Sequence, residues 1–175
     1  MNYLRTTVAR VDEPAPGYAL IEFRADRPIP GAPGQFVMVR GAWGAHPVLG
    51  RAFSLVQGGE RGAILARVVG EGTRRLAALR PGDELAVLGP SRRGFEAPAA
   101  GSRPVLVAGG VGVAPLVFLA ERLAASGRRP RFLYGARGEA ELPLAARIEE
   151  SSDLAVTTED GSRGERGLEI GRAHV

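Results

Sequence analysis

Cysteine is absent from this 175-residue chain, and so is lysine: all 23 basic residues are arginine. Without cysteine there is no disulfide, no thiolate nucleophile and no cysteine-ligated zinc or iron–sulfur centre on these residues. Histidine is nearly absent too. His46 lies in a glycine-rich loop and His174 is the penultimate residue, so neither a metal-ligand spacing nor a serine–histidine triad is expected. Aromatic residues make up only 6% and none interleave with a basic run, which argues against nucleic-acid binding. The sequence pI of about 10.5 is inflated by the high pKa of arginine, whereas the net charge is only +4. Lysine absence beside abundant Gly, Ala, Arg and Pro reads as coding bias. The pairs Arg74-Arg75 and Arg92-Arg93 fit a solvated surface. No apolar run approaches the roughly 18 residues of a membrane span. Arg5 and Arg10 interrupt the N-terminal apolar stretch, so a secretory signal is not expected and a cytoplasmic location is.

What is present is 45% hydrophobic residues, 25 glycines and 13 prolines. The first hundred residues read as short β-rich pieces: 6–11, 18–24, 34–40, 51–56, 62–69 and 82–88. Turn residues separate them, including Pro81-Gly82 and Gly89-Pro90. Many short strands with regular turns indicate a barrel or sandwich. One short helix is predicted over 72–79, with Thr73 as N-cap and Leu76 and Leu79 on one side. After a small-residue connection at 98–103 the period changes. Strand 105–108, helix 115–126, strand 131–135, helix 139–150 and strand 154–158 form a β-α-β-α-β pattern, hence a parallel sheet. Two domains are expected, 1–99 and 100–175. The parallel half is short for a nucleotide-binding domain. It is read as partial, either minimal or continued beyond Val175.

Four stretches carry chemistry. Residues 104–116 run from an apolar strand into Gly109, Gly110 and Gly112, with Pro115 in the first turn of a helix. Glycines let a ligand approach the backbone, and a helix N-terminus favours a phosphate; a tight turn with no ligand would look similar. Arg51-Ala52-Phe53-Ser54 places a guanidinium, an aromatic ring and a hydroxyl along one strand. That set suits a phosphate beside a flat ring, or an ordinary half-exposed strand. Gly70-Glu71-Gly72-Thr73 again precedes a helix, and Gly89-Pro90-Ser91-Arg92-Arg93-Gly94-Phe95 is a further glycine loop.

The order of these motifs, with Gly-Gly-Val-Gly-Val-Ala-Pro-Leu, Tyr134-Gly135-Ala136-Arg137, Glu141-Leu142 and Asp160-Gly161-Ser162 following, resembles the ferredoxin–NADP reductase-like flavoprotein superfamily. Within it the pattern is most similar to the electron-transfer subunits of dihydroorotate dehydrogenase. The resemblance covers essentially the whole chain. It implies an N-terminal antiparallel six-stranded β-barrel of ferredoxin reductase type that binds FAD, and a C-terminal α/β parallel-sheet nucleotide-binding domain. It also implies residue roles. Arg51 would hold the FAD phosphate or ribityl region, Phe53 would lie against the flavin, and Ser54, the catalytic contact, would meet the isoalloxazine near its redox-active nitrogen. Gly70, Gly72 and Thr73 would receive the FAD pyrophosphate. Gly109, Gly110, Gly112 and Pro115 would shape the NAD(H) site, with Gly135 and Arg137 at its far end and Asp160, Gly161 and Ser162 lining it.

The implied reaction is hydride transfer from NADH to flavin, then electron transfer to a partner such as the FMN-containing dihydroorotate dehydrogenase catalytic subunit of pyrimidine biosynthesis. Arg137 leaves NADPH open. The family's subunits carry a C-terminal four-cysteine segment for a [2Fe–2S] cluster, and this chain, without cysteine, departs from that pattern. A non-catalytic assembly module on the same scaffold, or a free-standing NAD(P)H:flavin or ferredoxin reductase, are the other expectations.

Overall fold

A computed structural model describes residues 3–44, 49–91, 93–99 and 101–167. His46, Arg92 and His174 lie outside the described residues. The chain divides into two compact units, Met1–Phe95 and Glu96–Val175.

The first unit is a closed antiparallel barrel in the order β1-β2-β5-β4-β3-β6. Its strands are β1 (Tyr3–Asp12), β2 (Tyr18–Ala25), β3 (Phe36–Gly41), β4 (Arg51–Gln57), β5 (Gly62–Arg67) and β6 (Glu84–Ser91). Period-2 alternation sends Leu4, Thr6 and Val8 of β1 inward, and Val37 and Val39 of β3 likewise, while Arg5 and Thr7 face out. Thr6 is the polar exception. Its hydroxyl donates to the Leu85 carbonyl at 2.6 Å, so burial leaves no unmet donor. Helix α1 (Glu71–Ala77) follows β5 and buries Leu76 completely.

Two sequence expectations are corrected here. Gly89-Pro90 is not a turn, because β6 continues through it to pair Ser91 with Phe36. The register shift between Phe36 and Met38 absorbs an extra residue as a bulge. Thr73 is not the N-cap. Gly70 is, and Thr73 stands three residues later, with its hydroxyl accepting from the Val69 and Gly70 amides at 3.0 and 3.1 Å.

The second unit is a parallel sheet of order β10-β9-β8-β7. Its elements are β7 (Val105–Gly109), α2 (Val113–Ala125), β8 (Arg131–Ala136), α3 (Ala145–Ser151), β9 (Asp153–Thr158) and the two-residue β10 (Glu165–Arg166). The sequence pattern did not show β10. The helix expected over 139–150 is broken into a 3-10 turn at Glu139–Glu141 and α3. Pro143 lacks an amide and disfavours helical geometry in Leu142, and Leu144 takes a left-handed φ of 65° before α3 begins. Arg147 joins the two helices through a two-pronged bond to Glu121 at 2.8 and 3.0 Å. Arg129 closes the end of α3, donating to the carbonyls of Glu149, Glu150 and Ser152 at 2.7–2.9 Å. Among the described residues no helix is long and apolar enough to cross a membrane.

Candidate functional site

In the barrel, the register pairs Arg51 with Val39 and Phe53 with Val37, placing both on one side of β4. Ser54 pairs with Phe36 and so lies on the other side. Phe36 in turn faces Ser91 across β6, which makes a row Ser54, Phe36, Ser91 on three adjacent strands. The Ser91 hydroxyl is buried without a hydrogen-bond partner. Sequence reasoning quoted Ser91 inside a glycine loop and gave it no role. The missing signal was the register, since a residue expected in a turn has no strand neighbours to reveal it.

Arg51 also reaches the helix. One guanidinium nitrogen donates to the Leu49 carbonyl at 3.1 Å, and the guanidinium lies against Gly72, where any side chain would overlap it. A side chain at Gly72 would displace the Arg51 guanidinium, the flexible end of that residue, and the glycine's φ is not left-handed. Thr73 holds the turn, donating its hydroxyl to the Gly70 carbonyl at 3.0 Å while accepting from two amides. The result is a cation set at the N-terminal end of α1, where the amides of the first turn lack helical acceptors. The helix dipole makes that a poor place for a cation on its own and a good one for a cation and an anion together.

In the second unit, the three loops singled out from sequence meet at the carboxyl ends of the parallel strands. Gly109 pairs with Gly135, and Gly135 with Thr157, in one row across β7, β8 and β9. The Thr157 hydroxyl in that row is buried and unpartnered. Beyond β7, Gly110 takes a φ of +51° in a 3-10 turn, and Pro115 sits in the first turn of α2, which starts at Val113. Gly112 has an ordinary φ of −61° and open space where a side chain would go. Tyr134, fully buried, ties this corner together by donating to the Pro143 carbonyl at 3.1 Å.

The loops after β8 and β9 are stitched to each other. Asp160 accepts from the Ser162 amide at 2.9 Å and from its hydroxyl at 2.6 Å, and the Ser162 oxygen accepts from the Glu139 amide at 2.7 Å. Gly161 supplies the left-handed turn at φ +75°, and Gly138 leaves room for the Asp160 carboxylate. The Ser162 hydroxyl and amide hold the Asp160 carboxyl below its ordinary pKa of 3.8. Arg137 stands largely exposed, 4.0 Å from Glu141. Ligands of open α/β sheets bind at such carboxyl ends.

No protein-family model matches the chain. It is 37% identical over 168 residues to the dihydroorotate dehydrogenase B (NAD(+)) electron transfer subunit of Desulforamulus reducens, covering 92% of this chain and 64% of that protein. It is 41% identical over 151 residues to the probable electron transfer subunit of the same enzyme in Methanopyrus kandleri, covering 85% of this chain and 55% of that protein.

Over most of its own length the chain is similar to these electron-transfer subunits.

Its fold is that of the ferredoxin–NADP reductases. The ferredoxin reductase of carbazole 1,9a-dioxygenase superposes with a TM-score of 0.85 at 18% identity, over 98% of this chain and 56% of that one. An NADH-dependent reduced ferredoxin–NADP oxidoreductase superposes with a TM-score of 0.82 at 23% identity, over 97% of this chain and 62% of that one. The chain spans 64% and 55% of the length of these two relatives.

Proposed function

We propose that this chain is an FAD-dependent electron-transfer component that takes a hydride from NADH and delivers electrons to a catalytic partner of the dihydroorotate dehydrogenase type, in the cytoplasm. The observation that carries the reading is Arg51 lying on Gly72 at the start of α1. The residues present fit the cofactor: a cation beside the free amides of a helix start, a glycine that leaves the guanidinium its place, and the orphaned Ser91 hydroxyl in the row that runs through Phe36 to Ser54. The similarity to these relatives supports it independently, since their names specify NAD(+) and electron transfer.

Bound FAD would supply acceptance of a hydride and release of single electrons. The chain's own part is binding and orientation. Arg51 and the Gly70, Gly72 and Thr73 backbone would hold the pyrophosphate, with Thr73 spending its hydroxyl on the turn rather than on the ligand. Phe53 would pack against the flavin, and Ser54 would offer a hydroxyl at the ring edge. In the second unit Gly109, Gly110, Gly112 and Pro115 would shape the nucleotide site with Gly135 and Arg137. The Thr157 hydroxyl is an unmet polar atom that a nucleotide would satisfy there. Asp160, Gly161 and Ser162 would line the site, with Asp160 and Ser162 acting mainly by fixing the loop, because their polar atoms are already engaged. No proton donor is required for hydride transfer; rate would come from holding the two rings at transfer distance.

The test is optical. Purified protein titrated with FAD should bind it stoichiometrically and show a flavin spectrum that NADH bleaches under anaerobic conditions. Protein that takes up no FAD yet binds the catalytic subunit would replace this reading with that of an assembly module. Rapid turnover with free flavin and no partner would replace it with a free-standing reductase.

A further inference from the structure

We propose that the outer wall of the barrel carries a second binding site, for a small anion that also bears a hydroxyl or amino group. The wall holds a cavity of about 720 Å³, formed by β1, β2, β3 and β6 and lined by Arg5, Arg24, Arg40, Asp26, Glu84 and Ala86 among others. That volume lies in the range of small-molecule pockets. In the ring order β1-β2-β5-β4-β3-β6, β1 stands opposite β4 and β6 opposite β5. The cavity's lining includes neither Arg51, Phe53 nor Ser54.

The register explains why the arginines converge. Arg40 of β3 and Arg5 of β1 both pair with Ala86 of β6, one from each side. Adjacent strands are about 5 Å apart, so the two arginines rise about 10 Å apart over a methyl group. A carboxylate or phosphate fits between two such guanidinium forks. One row along, Arg24 and Glu84 both pair with Thr7. Neither Arg5 nor Arg24 has an ion pair or hydrogen bond among the described residues, although Asp26 and Glu84 line the same cavity.

Arg40 donates one terminal nitrogen to the Gly44 carbonyl, and its Nε is buried with no acceptor among the described residues. Trp43 folds its ring over Gly41 and buries its Nε1, likewise with no acceptor among the described residues. It lines a smaller hollow that shares Ala42 and Glu84 with the main cavity. Trp43 lines only the smaller hollow, so an anion in the main cavity would meet the Arg5, Arg24 and Arg40 side chains. The two carboxylates narrow the class. A bare polyanion would meet Asp26 and Glu84 as like charges, whereas a hydroxylated or aminated anion would donate to them. Hydroxy acids, amino acids and sugar phosphates satisfy both halves.

The experiment is isothermal titration of the FAD-saturated protein with citrate, with glycerol 3-phosphate and with inorganic phosphate at constant ionic strength. Saturable binding of citrate or glycerol 3-phosphate is expected. Arg5→Gln and Arg40→Gln should each weaken it about tenfold, as loss of one charged hydrogen-bonding partner does. Ala86→Leu should block it by filling the floor. Arg103→Gln, in the other unit, should leave it unchanged. An unaltered flavin spectrum in each variant shows that the barrel is folded; a variant that loses the spectrum is replaced by chemical-shift mapping of the unmodified protein, in which the Arg5, Arg40 and Ala86 amides should move. No saturable binding of either organic probe, or equal binding by the Arg5 and Arg40 variants, would overturn the proposal. So would variants that weaken only association with the catalytic subunit, since the wall would then be a protein interface.

Discussion

Arg51 lies across Gly72, so that the space a side chain would need at Gly72 is filled by the Arg51 guanidinium. The two residues are far apart in sequence and belong to a strand and a helix, yet each explains the other. The glycine leaves the guanidinium its place, and the arginine sits at a helix start where it is poorly placed without an anion.

Removing either partner should therefore have the same functional effect. Arg51→Ala should weaken FAD binding by about 2 kcal/mol, roughly thirtyfold, the scale of a charge-assisted hydrogen-bonded contact. Gly72→Val should do as much by displacing the guanidinium. FAD titration followed by flavin fluorescence measures both. Unchanged affinity in Arg51→Ala would remove that residue from the cofactor site.

The glycine loop after β7 offers a cleaner contrast. Gly110→Val forces a branched side chain into a φ of +51° and should impair both the loop and NADH affinity. Gly112→Ala costs nothing in the protein itself, because the position is open and its φ of −61° suits any residue. A loss of NADH affinity in Gly112→Ala, with unchanged melting temperature and FAD content, is the expected sign of a ligand contact there. Wild-type NADH affinity in that variant would leave the turn a structural one.

Acid should loosen the loop pairing between β8 and β9. Ser162 holds the Asp160 carboxyl below its ordinary value of 3.8. A depressed folded-state pKa means that the contribution is complete above the unfolded value and is lost as pH falls through the lower, folded one. Protection of the Ser162 and Glu139 amides, taken relative to their intrinsic exchange rate at each pH, should fall below about pH 4, the ordinary carboxylate range. Asp160→Asn should exchange faster at neutral pH and lose this acid dependence. Equal exchange in the variant and the unmodified protein at pH 7 would refute the assignment.

Arg129 should matter for stability and not for cofactor affinity. Its guanidinium is half exposed yet accepts the burden of three carbonyls at the end of α3 and of Asp153 at 2.8 Å. Arg129→Ala should destabilise the second unit by about 1–2 kcal/mol, after allowing for solvent screening of the ion pair. Thermal unfolding followed by circular dichroism reports this, with FAD affinity as the unaffected reference.

Most of the barrel was legible because alternation is local. Residues 18–24 and 51–56 read as strands from their own pattern and extend by a residue at most at either end. The errors lie where the chain departs from local rules. Gly89-Pro90 has the composition of a turn, but pairing with β3 on one side and a bulge to absorb the extra residue keep it in β6. Residues 139–150 have the composition of a helix, but Pro143 divides them. Thr73 has the chemistry of an N-cap and performs the reciprocal task from three residues inside, because Gly70 precedes the first turn.

By itself the sequence determined the two halves, the antiparallel and parallel character of each, and the residue types available for binding. Those follow from periodicity and composition, which need no partner. Only the tertiary structure decided which of those residues meet. Register set Ser54 and Ser91 on either side of Phe36, the β4–β5 pairing brought Arg51 to Gly72, and two arginines that the sequence scatters were set on either side of Ala86. Such meetings depend on pairing between strands far apart in the chain, and a one-residue slip would send each side chain to the opposite face.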